Sequence, residues 1–426
     1  MRTRLQAALM VLLVVASACS SSETAATFVS TTTSSPPTVT TPVSPTTTTM
    51  PPVGSTISGI VAGLAGLEFD DFLEEAADQL LLRSPQEVTA AGLADRYGLR
   101  NNRLDDLSDV YLLETQALES GIIDRLRSYV RSELEPTQQL SYDIVGSYLD
   151  DLVEGHRWMY HEYIVHQFLR SYHSNTWSYF TDTFPLDTMR DVEDYVSSLW
   201  QVRDQAGEVV EALRVREDMG IIPPGFVVEM ARKAMLGQIQ LRSPNPDSVR
   251  VTDLSLYTTL AEALAGLGVE DDVSAGVLAE TEQAIRDSVV PAWVDLIDEL
   301  DRLEAVAPSS AGVGALPDGA DFYHYMLRRE TSTDMTPDQV HELGLVEVER
   351  IQGEMRVIFD QLGYPESEPL EALMSRATDA AGYFRTVSSA GRGEVVGAYE
   401  ALLAEVEDRV DAVFDLRPDR AVVVIG

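Results

Sequence analysis

The sequence contains almost no cysteine and almost no lysine. Cys19 is the only cysteine among 426 residues, so no disulfide can form within the chain. Lys233 is the only lysine, and 31 basic residues face 69 acidic ones, which gives a formal net charge of -38. Because so acidic a chain repels phosphate, the composition excludes nucleic-acid binding through phosphate contacts.

The sequence also lacks the short motifs of several enzyme classes. It has no GxSxG elbow for a serine hydrolase, and its one cysteine lies in the N-terminal leader. The glycines of RGEVVG at 392–397 do not have the GxGxxG spacing of a dinucleotide loop. Adjacent acidic residues are expected by chance in so acidic a chain and do not indicate a glycosidase. We therefore assign no catalytic residue from the sequence.

Residues 1–18 have the pattern of a lipoprotein signal peptide. Arg2 and Arg4 precede an apolar run from Leu5 to Val15, which is too short to span a membrane. Small residues then lead to Cys19, the position at which a lipoprotein is cleaved and acylated. We expect lipidation of Cys19 and an extracytoplasmic protein anchored to the cell membrane. The alternative is an ordinary secretory signal with an incidental cysteine.

Residues 19–57 predict a disordered tether. They are almost all serine, threonine, proline, alanine and valine. Such a composition cannot bury enough apolar surface to offset the entropy of ordering the chain. We expect this segment to hold the folded part away from the membrane.

Residues 58–426 predict one helical domain of the all-α class. Apolar residues recur at intervals of three and four, as on the buried face of a helix. Helical hairpins without a fixed repeat are expected, followed by one short strand at Ala421–Ile425. Because an unpaired terminal strand favours aggregation, we expect its natural partners to lie outside this chain. The predicted helices include Phe69–Leu81, Leu107–Leu134, Leu140–Leu169, Val192–Met219, Phe226–Leu241, Val251–Leu267, Glu280–Val306, Asp321–Glu330 and one from Thr336 to about Leu362.

Two local signals are specific. Pro317-Asp318-Gly319 predicts a turn in which proline supplies the constrained position and glycine the permissive one. Thr336 predicts a helix N-cap, because proline follows it and Gln339 stands three residues later.

Four of the six histidines lie within the eighteen residues from His156 to His173. In HExxH zinc peptidases the histidines are four apart and face one metal. His161 and His166 are five apart, roughly 140° around a regular helix, so they could not share one ion. The helical pattern places His156 and His166 on the apolar face and His161 on the solvated face. We predict no metal site here and keep His161, Glu162 and His166 as the alternative ligand set of a metallohydrolase.

The segment from Leu316 to Val348, LPDGADFYHYMLRRETSTDMTPDQVHELGLVEV, resembles the central segment of the domain-of-unknown-function 885 family. That resemblance extends over about Ser58 to Gly426, with further likeness in Leu67–Asp95, in the connector Gly220–Pro224 and in an H-x-Y-x-x-x-Q pattern formed by His161, Tyr163 and Gln167.

The resemblance implies a lipid-anchored, gluzincin-like helical scaffold related to bacterial zinc metallopeptidases. Zinc is expected in full-length family members, bound by an HEx(x)PGH motif in their C-terminal part. This sequence contains no HEx(x)PGH motif, so we expect no cofactor in this chain and carry over no catalytic residue.

Three functions follow from the residues and the resemblance. The first is the non-catalytic N-terminal portion of a zinc-peptidase-like lipoprotein, inactive alone, with a C-terminal catalytic portion as partner. The second is a stand-alone surface module that binds peptides or another partner. The third is a metallohydrolase that uses His161, Glu162 and His166.

Overall fold

The computed structural model of the chain describes residues 56–168, 170–241, 248–310, 312–381, 389–410 and 412. The signal peptide, Cys19, nearly all of the tether at 19–57 and the predicted strand at 421–425 lie outside the described residues. No helix among the described residues is long and apolar enough to cross a bilayer.

All regular elements of the described residues are helices, which confirms the predicted all-α class. In chain order they are α1 (Ile57–Gly63), α2 (Phe69–Leu81), α3 (Pro85–Ala90), α4 (Asp109–Leu126), α5 (Pro136–Gly155), α6 (Tyr172–Ser178), α7 (Met189–Asp218), α8 (Gly225–Gln238), α9 (Ser255–Leu267), α10 (Asp271–Ala284), α11 (Val290–Glu304), α12 (Gly319–Thr331), α13 (Pro337–Gln361), α14 (Leu370–Ala381) and α15 (Ser389–Val410), with π-helical turns at Tyr179–Thr183 and Ile285–Val289.

The helices divide into two compact units at residues 333 and 334, where the sequence predicted one domain. In the first unit, α7 is the central helix, and its side chains Tyr195, Leu199 and Val202 are almost fully buried. They share one hydrophobic cluster with Trp293 of α11 and Met235 of α8. A second cluster joins α1, α2, α4 and α5 around Phe72, Leu118, Ile122, Leu126 and Leu149.

The second unit, from Asp334 onward, contains α13, α14 and α15. Thr336 caps α13 as predicted: its hydroxyl accepts the backbone N–H of Gln339, and the Gln339 side chain accepts that of Thr336. Such a capping box satisfies two backbone donors that would otherwise lack partners. The sequence therefore identified the beginning of α13 correctly.

The helix predicted over Leu140–Leu169 is wrong in its second half. Helix α5 ends at Gly155, one 3₁₀ turn follows over His156–Trp158, and residues 159–168 form turns and bends. A side chain at Gly155 would meet the Tyr325 hydroxyl at 2.4 Å, so α12 lies directly against the end of α5. The apolar period continues past this point, but contacts from distant residues determine the backbone.

The turn before α12 needs its glycine for a different reason from the one predicted. Asp318, not Gly319, has the left-handed conformation, with φ of 51°. A Cβ on Gly319 would lie 2.0 Å from the Val313 carbonyl oxygen. Close approach of the backbone therefore requires glycine at 319, and Asp318 carries the backbone strain.

This difference predicts unequal effects at the two neighbouring positions. Gly319→Ala should lower the free energy of unfolding by about 1–3 kcal/mol, because the added methyl group overlaps a backbone carbonyl. Asp318→Gly should stay within about 1 kcal/mol of the original protein, since relief of strain offsets greater freedom of the unfolded chain. Urea denaturation followed by circular dichroism measures both. Equal losses, or a greater loss for Asp318→Gly, would contradict the assignment.

Candidate functional site

The segment after α5, residues 156–173, carries four histidines and is held by a buried arginine. Arg216 of α7 donates from Nε to the Glu162 carbonyl (3.1 Å) and from Nη2 to the Met159 carbonyl (2.9 Å). Its Nη1 donates to Ala212 within α7. Burial lowers the pKa of the Arg216 guanidinium, and carbonyl oxygens offset part of the penalty for burying a charge. We call residues 156–173 the histidine segment.

His156 anchors the beginning of the histidine segment to α4. Its Nε2 lies 2.6 Å from a carboxylate oxygen of Glu119, and both side chains are largely buried. Burial raises the pKa of Glu119, and the hydrogen bond and charge of His156 oppose that rise. The pair therefore holds the histidine segment against α4, and His156 is half-buried.

His161 is buried, which corrects its predicted place on the solvated face. Its ring packs edge-on against Trp158 (centroids 4.8 Å apart) and also contacts Phe322 of α12 (5.1 Å). Its Nε2 lies 2.9 Å from the Pro317 carbonyl. Because a carbonyl only accepts, Nε2 donates this hydrogen bond. The Nδ1 atom is buried and has no hydrogen-bond partner among the described residues. His161 thus links the histidine segment to the turn before α12.

Glu162 and His166 have other surroundings. The Glu162 side chain is exposed. His166, predicted on the apolar face of a helix, is half-buried outside any helix, and its Nδ1 accepts the backbone N–H of Phe168 at 3.1 Å. Burial lowers the pKa of His166. Within the described part of the chain, no three histidine, cysteine, aspartate or glutamate side chains are placed to hold a metal ion together. This applies to the set His161, Glu162 and His166.

The H-x-Y-x-x-x-Q residues all lie on the histidine segment. Tyr163 is half-buried, and burial raises its pKa. The Gln167 side-chain oxygen is buried without a hydrogen-bond partner among the described residues, as is His161 Nδ1. Both atoms are buried polar groups that water or a ligand group could satisfy.

His173 closes the segment inside the first unit. It is 2% exposed, and its Nδ1 lies 2.8 Å from the Ser171 hydroxyl, which also accepts the backbone N–H of His166. Burial, assisted by nearby His166, lowers the pKa of His173 to about 4. His173 is therefore a neutral packing residue at neutral pH.

The second unit presents an apolar surface that the sequence analysis did not single out. Helix α13 has large apolar side chains at intervals of three and four that remain exposed, by 52% at Val348, 45% at Ile351, 55% at Ile358 and 64% at Leu362. Met355 lies on the same face and is half-buried. We call these five residues the α13 stripe. Its spacing is visible in the sequence, but its exposure is not.

The α13 stripe belongs to an ordered helical hairpin. Gly363, with φ of 79°, ends α13, and the Tyr364 N–H donates to the Phe359 carbonyl to close the last turn. Arg356 donates to the carbonyls of Glu366 and Glu368 in the connection to α14. Helix α13 has satisfied ends and an uncovered apolar face, which is typical of a surface that binds another polypeptide.

Comparison with known proteins identifies relatives by sequence family and by fold. The family model described as "Bacterial protein of unknown function (DUF885)" matches residues 85–425. A crystal structure described as "the putative lipoprotein from Colwellia psychrerythraea" matches with a TM-score of 0.75 at 17% identity, over 86% of this chain and 61% of that chain. At this identity the likeness shows the fold alone. Comparison with curated proteins finds no match.

Two buried groups predict opposite pH dependences of stability. Below pH 6.5 the unfolded chain binds a proton at His173 that the folded protein refuses down to about pH 4, so His173 lowers stability as the pH falls. Burial raises the pKa of Asp105 to about 6, so the folded protein protonates Asp105 before the unfolded chain does, and this group raises stability as the pH falls.

Single substitutions should separate these two contributions. From pH 7 to 4.5, the stability of His173→Asn relative to the original protein should rise, by up to about 1.4 kcal/mol per pH unit. The relative stability of Asp105→Asn should fall over the same range. Urea denaturation at several pH values measures both, and two profiles parallel to that of the original protein would contradict the assignment.

Proposed function

The chain belongs to the DUF885 family of bacterial proteins, and from that premise we propose that it is a lipid-anchored, extracytoplasmic scaffold. In this proposal its second unit packs against a further polypeptide portion that carries a zinc centre of the HEx(x)PGH type. The exposed α13 stripe is the observation that carries the proposal.

The leader supports the location. Arg2, Arg4, the short apolar run and Cys19 have the order of a lipoprotein signal. A fold relative described as a putative lipoprotein agrees with this assignment. A diacylated cysteine would supply two acyl chains, enough for stable anchoring.

The surface of α13 supports the scaffold role. Exposed side chains at Val348, Ile351, Ile358 and Leu362 form one face of a helix whose ends are satisfied. Isolated exposed apolar residues are ordinary, but a continuous stripe in a soluble unit is expected to be covered. The fold relative is longer, since this chain covers 61% of it, and additional chain of that fold is a suitable cover.

The described residues support placing the metal chemistry elsewhere. Two of the histidines bind protein groups: His156 binds Glu119, and His161 binds the Pro317 carbonyl. A zinc peptidase needs three protein ligands and an open position. In this proposal the HEx(x)PGH portion supplies them, and the scaffold forms one wall of the peptide cleft.

The anchor is tested with Cys19→Ser. The original protein should incorporate labelled palmitate and sediment with membranes. Because the variant has no thiol to acylate, it should incorporate none and should leave the membrane fraction. Equal labelling of both proteins would contradict the anchor and leave the scaffold role standing.

The scaffold role is tested by co-expressing the chain with the polypeptide encoded after codon 426 in its genome. The chain alone should bind less than one zinc ion per molecule and should cleave no member of a peptide library. The co-expressed pair should co-purify, bind about one zinc per pair and lose peptide cleavage on treatment with a chelator. Chelator-sensitive cleavage by the chain alone, or a following sequence without HEx(x)PGH, would overturn the proposal.

Substitutions in α13 test whether the α13 stripe is the contact surface, with a control on another face of the helix. The double variant Ile351→Glu, Ile358→Glu should keep the stability of the isolated chain within about 1 kcal/mol, because both residues are exposed. It should lose co-purification, since two buried carboxylates would lack partners. Val357→Glu, also exposed but on another face of α13, should retain co-purification.

A further inference from the structure

A groove of about 370 Å³ lies between α7 and α11 in the first unit. Ligand sites in proteins begin at roughly this size, about 300 Å³. Ala206 and Val210 form apolar parts of its lining, and charged side chains from both helices form the remainder. The groove lies apart from the α13 stripe and from the histidine segment in sequence, and neither contributes a lining residue.

The α7 side of the groove is one helical face with a gap in it. Trp200, Arg203, Gly207, Val210 and Arg214 follow one another at intervals of three and four, so they share a face. A Cβ on Gly207 would meet nothing within 4 Å. The glycine therefore leaves open space where any other residue would place a side chain.

The charges around the gap are not balanced. Arg214 binds Glu299 at 3.0 Å, and Arg203 lies 3.8 Å from Asp295 in a loose, exposed pair. Glu299 is itself buried and also accepts from Arg302. Asp298 lines the groove, is exposed, and has no ion pair or hydrogen bond among the described residues. Its carboxylate is the one available to a ligand cation.

The backbone at one end of the groove is fixed by a side chain from another helix. Ser288 lies in the π-helical turn Ile285–Val289, accepts the backbone N–H of Arg203 (3.1 Å) and donates to the Leu199 carbonyl (2.8 Å). The hydroxyl thus occupies a position in the hydrogen-bond ladder of α7. Such local distortions position side chains, and π-helical turns are frequent at functional sites.

Trp200 adds an exposed aromatic surface next to this end. Its side chain is 39% exposed and makes no ring contact or hydrogen bond among the described residues. It lies one turn before Arg203 on the face that forms the groove. Tryptophan attracts cations over its ring, and it is enriched among the residues that dominate binding energy at interfaces.

We propose that this groove binds the arginine or lysine side chain of an extended peptide. The aliphatic stem lies over Gly207 against Ala206 and Val210, and the cationic head binds Asp298. The peptide backbone continues toward Trp200. An extended chain advances about 3.3 Å per residue along this path. The net charge of -38 favours the approach of cationic ligands from solution.

The same cationic chemistry occurs in polyamines, and the experiment separates the two sources. The full chain is titrated with acetyl-Ala-Arg-Ala-amide, with the neutral analogue that has citrulline in place of arginine, and with spermidine. Calorimetry and tryptophan fluorescence follow binding. The arginine peptide should bind at least about tenfold more tightly than the citrulline peptide, weaken with added salt, and change the Trp200 fluorescence.

Four variants locate the site. Asp298→Asn should weaken arginine-peptide binding about tenfold or more, and Gly207→Leu should abolish it by filling the gap. Leucine favours a helix more than glycine does, so Gly207→Leu should unfold no earlier than the original protein. Glu262→Gln and Gly276→Leu, an exposed acid and an open helical glycine elsewhere in the first unit, should bind like the original protein.

Four outcomes would overturn the proposal. One is equal binding of the arginine and citrulline peptides. Another is binding by Gly207→Leu or Asp298→Asn that matches the original protein. The third is no binding of the arginine peptide at millimolar concentration. Tighter binding of spermidine than of the peptide would overturn the peptide assignment. None of these results depends on zinc or on a partner of the α13 stripe.

Discussion

A buried cation determines the arrangement of the histidine segment. Arg216 has no carboxylate partner within hydrogen-bond distance in the described residues, and its guanidinium binds main-chain carbonyls of Met159 and Glu162 instead. These hydrogen bonds hold the chain beyond α5 in a non-helical course. His161 is then placed to bind the Pro317 carbonyl. Long-range contacts of Arg216 and His161 therefore fix the course of the histidine segment and join it to α7 and to the turn before α12.

This dependence explains how much of the structure could be predicted from the sequence. Local signals were sufficient for the fold class and for elements such as α2, α7 and α13, which have a regular apolar period, and for the cap of α13 at Thr336. They failed after Gly155, where Arg216, 54 and 57 residues away from its two acceptors, competes with the helical pattern. The same limit applied to His161, whose burial depends on Phe322 of α12. Helical periodicity contains no information about such partners.

The two units differ in what their apolar residues do. In the first unit, α7 is surrounded, and Tyr195, Leu199 and Val202 are almost fully buried. In the second, α13 has an equally regular apolar face, yet Ile351 and Ile358 are about half exposed. Capping, turn closure and arginine hydrogen bonds specify the hairpin without a core of comparable size. A helix that is amphipathic and uncovered contributes its burial energy only on association, which is the physical basis of the scaffold role that we propose.

Carboxylates without a basic partner are common in so acidic a chain. Even if each of the 31 basic residues neutralised one of the 69 acidic residues, 38 acids would have no cation, so an unpaired Asp298 alone carries no information. Its position does. Asp298 borders open space that exists because residue 207 is glycine, and that glycine is unfavourable in a helix interior by about 1 kcal/mol relative to alanine. If a ligand side chain fills the gap, binding requires glycine at position 207 although glycine destabilises the helix.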